Sequence, residues 1–228
     1  MSTETEFSPG DVFYTQHDNQ YHLRKLLVFD KEFECYHVLA YKPLDNLPDK
    51  EALDTLEVFA YHLPINKSGF TDPVLIANTK VVAENLIGYH EYLKQTQIPD
   101  YYIPIAGQYY SEGLRLTDEQ QLTDAIDAYS KAVDLFPSFY EAIDNRAFCQ
   151  MDLGLWEEAI EGFEQSLAVN PVSMLAEFSI GECYLNLGDY FKAKTQFEKA
   201  IALDPENQIP IDFLQKVNGL ITDQWRAS

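Results

Sequence analysis

Cys35, His37 and His62 come nearest in this chain to a reactive constellation. Cys35 and His37 alternate, so a strand would set both on one face, and His62 on a neighbouring strand would add a third donor. Thiolate and imidazole are zinc ligands, but zinc sites use three or four donors, usually with a close pair such as Cys-x-x-Cys, and no such pair occurs. Ordinary sheet side chains explain the spacing without a metal. All five histidines, His17, His22, His37, His62 and His90, lie in the first 95 residues, and a catalytic reading of that half rests on this concentration alone. There is no Gly-x-Ser-x-Gly, no glycine-rich phosphate loop and no cysteine in an activating context. Glu157, Glu158, Glu161 and Glu164 read as the solvated face of a helix. We therefore assign no catalytic residue, no metal and no cofactor, and the chain is not read as an enzyme.

Bulk composition narrows the partners. The 228 residues carry 37 acidic against 16 basic side chains, a formal charge of −21. Such a chain repels nucleic acid and anionic membrane and favours basic or neutral partners. The opening MSTETEFSPG is polar and acidic, unlike a secretory leader, and no apolar run reaches a membrane-spanning length. With three widely separated cysteines, Cys35, Cys149 and Cys183, a reducing cytoplasm is the expected location.

The elements that must position any site divide the chain in two. In the second half Pro137, Pro171 and Pro205 recur every 34 residues. Aligned on them, segments 106–139, 140–173 and 174–207 match at further positions. Position 8 holds Gly113, Ala147 and Gly181; position 20 holds Ala125, Ala159 and Ala193; position 24 holds Tyr129, Phe163 and Phe197; position 27 holds Ala132, Ser166 and Ala200. Small residues let paired helices approach, the aromatic fills the space between them, and glycine and proline close the helices. This register resembles the tetratricopeptide repeat. The resemblance implies three helix pairs in a superhelix, followed by a capping helix over 208–228 with Phe213, Leu214, Val217 and Ile221 as its buried stripe. The first repeat departs at Gln120 and Gln121, so a looser turn is expected there. Cys149 and Cys183 share position 10 and read as packing residues.

Residues 7–96 lack the repeat. Alternation suggests strands at 11–16, 21–29, 35–41 and 56–63, with a hairpin at His17-Asp18-Asn19-Gln20. A helix over 81–95, capped by Asn78 or Thr79 and interrupted near Gly88, would close one end. The fold class is thus α+β: a small antiparallel barrel resembling SH3 domains, or a curled sheet with one helix, then the all-α superhelix. Residues 8–14 and Lys25-Leu26-Leu27 resemble the start of small barrel proteins of the bacterial toxin-immunity type, which implies an inhibitor role as an alternative function. Pro99 and Pro104 mark 97–105 as a stiff linker.

The tetratricopeptide resemblance also implies a binding wall, since the first helix of each repeat lines a concave groove. Its positions fall on Tyr110, Leu114 and Asp118; on Glu141, Asp144, Phe148, Met151 and Asp152; and on Leu175, Phe178, Glu182 and Leu185. Apolar anchors edged by carboxylates suit a peptide or protein with apolar side chains and Lys or Arg between them. Some members of the family hold a C-terminal carboxylate with basic residues. Tyr110, Leu175 and Ser179 stand at those places here, and only Asn145 fits, which argues against that ligand. The expected function is a binding module or adaptor, with the groove either open to a partner or filled from within by the capping helix or the first domain. Oligomeric state is not specified by the sequence.

Overall fold

Period-two alternation becomes three antiparallel strands in succession, β1 (Asp11–His17), β2 (Gln20–Asp30) and β3 (Cys35–Tyr41). The computed structural model describes residues 6–227. β4 (Val58–Asn66) pairs with β3, and β5 (Val74–Asn78) returns to pair with β1, giving the order β4-β3-β2-β1-β5. Asp18 and Asn19 take φ of 51° and 61°, the left-handed pair that joins β1 to β2 with His17 opposite Gln20. Register shifts in the β2–β3 and β3–β4 ladders bend the sheet. Phe7, Phe13, Leu26, Tyr36 and Val38 form one core cluster, and Val12, Leu23 and Leu53 another. The result is the curled-sheet form of the expected fold, with β4 and β5 as its edges.

Helix α1 (Ala83–Thr96) runs through Gly88 without a break, so the expected interruption is absent. Gly88 marks close approach instead: a Cβ there would sit 2.8 Å from the carbonyl carbon of Tyr61. Neither expected residue caps α1. Asn78 ends β5 and donates its amide to Asp11 Oδ1 at 2.8 Å. The N-cap is Val82, whose N–H donates back to Asn85 Oδ1 at 3.3 Å.

The 97–105 stretch is also mostly helical, because α2 spans Pro99–Asp118. Proline is tolerated at the first helical position, where its missing N–H has no intrahelical acceptor. Pro104, inside the helix, forfeits one backbone bond. The contacts divide the chain into two units between Tyr102 and Ile103.

The second unit is the expected helical repeat. α2 pairs with α3 (Leu122–Leu135), α4 (Tyr140–Asp152) with α5 (Trp156–Val169), and α6 (Met174–Asn186) with α7 (Tyr190–Leu203). α8 (Gln208–Ala227) follows and packs on α7. Each pair turns the same way. Gln121, Leu155 and Asp189 donate backbone N–H groups to Leu116, Gln150 and Tyr184, each at 2.9 Å. The preceding residue is left-handed in all three: Gln120 at φ 60°, Gly154 at 75° and Gly188 at 77°. The first turn is therefore not looser than the others; Gln120 adopts the geometry glycine supplies elsewhere. At the crossings, Tyr129 lies on Gly113 and Phe197 on Gly181, where an added Cβ would fall 2.4 and 2.6 Å from the ring. Repeat two carries Ala147 at that place, and Gly162 provides the missing space.

Candidate functional site

The groove positions do not behave as one surface. Phe178 of α6 lies 5.1 Å edge-on to Phe213 of α8 and 5.5 Å from Phe197. Leu185 joins the same cluster around Val217. The capping helix thus takes the innermost anchors of the third repeat. Phe148 packs edge-on against Phe163 at 5.0 Å, and Met151 packs on the core shared by α4, α5 and α6. Tyr110 lies 4.8 Å from Phe139 and accepts a hydrogen bond from Asn145 Nδ2 at 3.1 Å, which ties repeat one to repeat two. These five side chains serve largely as inter-helix packing.

What remains presented is a set of leucines and carboxylates. Leu114 is 40% exposed and Leu175 is 49% exposed. Asp118 and Asp152 are exposed, and Glu141, Asp144 and Glu182 are half-buried. Asp144 Oδ1 is enclosed, and so is the Ser166 hydroxyl that favours its charge. Burial pushes the Asp144 carboxyl up and Glu141 adds to this, while the Ser166 hydroxyl opposes it. Burial likewise raises Glu182, and Lys216 of α8 pulls it down. That lysine was missed in the sequence because it belongs to the cap. Ser179, at a position where a carboxylate-binding member would place a cation, is buried.

The cysteines of the repeats are packing residues, as expected. Cys149 and Cys183 are buried free thiols, and burial with Glu182 nearby pushes Cys183 up to about 12. Such a thiol is a poor nucleophile at neutral pH.

In the first unit the structure brings His37 and His62 together, Nδ1 to Nε2, at 2.8 Å. Cys35 does not complete a ligand set: its thiol is directed at the Tyr36 carbonyl, 3.8 Å away, and is raised chiefly by burial. Among the described residues no group of three or more His, Cys, Asp or Glu is placed to hold a metal ion. No helix among them is long and apolar enough to cross a membrane.

The family comparison falls on the helical unit. A family model described as tetratricopeptide repeat matches residues 175–207. An uncharacterized protein of Methanocaldococcus jannaschii is 34% identical over 64 residues, which are 28% of this chain and 74% of that protein. Among solved structures, the Sgt2 TPR domain from Aspergillus fumigatus is 26% identical with a TM-score of 0.50, over 54% of this chain and 83% of that one. The Hsp90 co-chaperone Cns1 from Saccharomyces cerevisiae is 23% identical with a TM-score of 0.51, over 54% and 41%.

Proposed function

We propose that the helical unit, which carries tetratricopeptide repeats, is a protein-interaction module without catalytic activity of its own. The observation that carries this reading is the pairing of exposed Leu114 and Leu175 with the carboxylates of Asp118, Glu141, Asp144, Asp152 and Glu182 on the first helices of the repeats. Exposed leucines give an apolar ligand area to bury, and half-buried carboxylates give a cation something to satisfy. The partner is a protein segment with apolar anchors flanked by Lys or Arg. Asp144, half-buried on the first helix of the second repeat with a carboxyl raised by burial, is the contact that selects the cation.

The carboxylates give this binding a pH sign. A cation arriving beside Asp144 and Glu182 lowers both carboxyl groups, which burial holds up in the free protein. The bound form therefore carries fewer protons, and affinity rises with pH through the carboxylate range and falls on acidification. Fluorescence anisotropy with labelled leucine–lysine peptides, and with leucine–glutamate peptides of the same pattern, tests this. The lysine series binds, binds more weakly as the carboxyls protonate, and loses about tenfold or more with Asp144→Asn. Equal binding of both series would rule out the basic partner.

A further inference from the structure

The first unit holds a polar pair that the repeats do not use. His37 of β3 is 4% exposed, and His62 of β4 is half-buried. Their rings are nearly parallel, with 15° between planes. At 2.8 Å the two nitrogens share a hydrogen bond, so one ring donates and the other offers its lone pair. Two rings of α1 lie against the pair. Tyr89 is 4.8 Å from His37 and 5.8 Å from His62; Tyr92 is 5.6 and 4.7 Å away. Gly88 brings the same helix against the Tyr61 backbone of β4. Much of the seat of α1 on the sheet is therefore built from these four rings.

We propose that the His37–His62 pair is an acid-sensitive latch, holding α1 on the sheet at neutral pH and releasing it on acidification.

One added proton can be tolerated, because a protonated ring still donates to its neutral partner. It does, however, place a charge among buried aromatic rings. A second proton leaves two donors, no lone pair and two like charges at contact distance, and the rings must part. Charged and titratable groups bear on the pair from the sheet and from α1. Asp30, ending β2, favours charge on His37. Cys35 on β3 carries a thiol raised by burial and so is neutral. From α1 come the phenols of Tyr89 and Tyr92, and beyond its end the Tyr101 phenol is raised by burial, with Asp30, Glu32 and Tyr92 adding to this. Burial pushes His62 down to about 4, with His37 adding to this; burial also lowers His37, against the pull of Asp30. The two titrate as a coupled pair. Both folded values lie below the unfolded value of 6.5. The latch is therefore fully engaged above that pH, and its contribution is lost as pH falls toward about 4. The released helix would be joined to α2 by Gln97 and Ile98 alone.

Hydrogen exchange of the full chain from pH 7 to 4, corrected for intrinsic rates, reads the latch directly. Protection of α1 amides should fall by about 100-fold relative to those of α5. His62→Gln keeps an N–H donor for His37 without a titrating ring, and should hold α1 protection level with α5. Parallel behaviour of α1 and α5 in the native chain, or an unchanged α1 profile in His62→Gln, would overturn the proposal. NMR titration of the native rings is independent of any variant. Both should titrate below the ordinary histidine value, and a ring titrating at or above it would also overturn the latch.

Discussion

Gln120 and Gly181 make opposite predictions about single residues. Gln120 holds a left-handed conformation at φ 60° that costs a side chain steric energy and costs glycine little. Gln120→Gly should therefore stabilise the repeats by a few tenths to about 1 kcal/mol in chemical denaturation, because strain relief exceeds the added unfolded-state entropy. Gly181→Ala should do the reverse despite the better helix propensity of alanine. Its Cβ would fall 2.6 Å from the fully buried ring of Phe197, which has nowhere to move. The expected loss is about 1–3 kcal/mol. Gly107 of α2 supplies the control: nothing lies within 4 Å of a Cβ there, so Gly107→Ala should not destabilise. The first position in this set was visible in the sequence as a departure from the glycine pattern. Its consequence was not, since a non-glycine residue can either relax the turn or bear the strain.

At the scale of elements, the cap decides how much groove is left. α8 places Phe213 against both Phe178 and Phe197, so Phe213→Ala should cost on the order of 2–3 kcal/mol and expose Phe178, seen as a lower thermal midpoint with increased dye binding. The stripe of α8 was legible from Phe213, Leu214, Val217 and Ile221 at helical spacing. That the cap could fill the groove was legible too; which side chains it takes, Phe178 and Leu185, was not, because a repeat position specifies a direction and says nothing of what arrives there. The same limit explains the first unit. β1 to β4 and α1 follow from alternation and helical spacing, each within a few residues. β5 is a five-residue, mostly apolar run, Val74-Leu75-Ile76-Ala77-Asn78, without period-two alternation; its pairing with β1 makes it a strand. The two prolines mark 97–105 as a linker, and the boundary between the units falls inside it; its helical form was not legible, because Pro99 sits where a helix accepts proline. The meeting of His37 and His62 depends on the β3–β4 register, which includes shifts that alternation cannot place.

For the whole molecule, a charge of −21 sets the long-range behaviour. A basic partner would be steered toward this chain and its association would slow with added salt. The central claim is that the presented faces of the first repeat helices, rather than the chain's charge alone, hold a protein partner. Affinity capture with the native 228-residue chain and with Leu114→Arg/Leu175→Arg, both verified as folded by circular dichroism, tests it most directly. Both leucines are exposed, so the variant leaves the helical core untouched. The account predicts that the native chain retains at least one stoichiometric protein at physiological salt that the variant loses. Identical retention by both chains would contradict it.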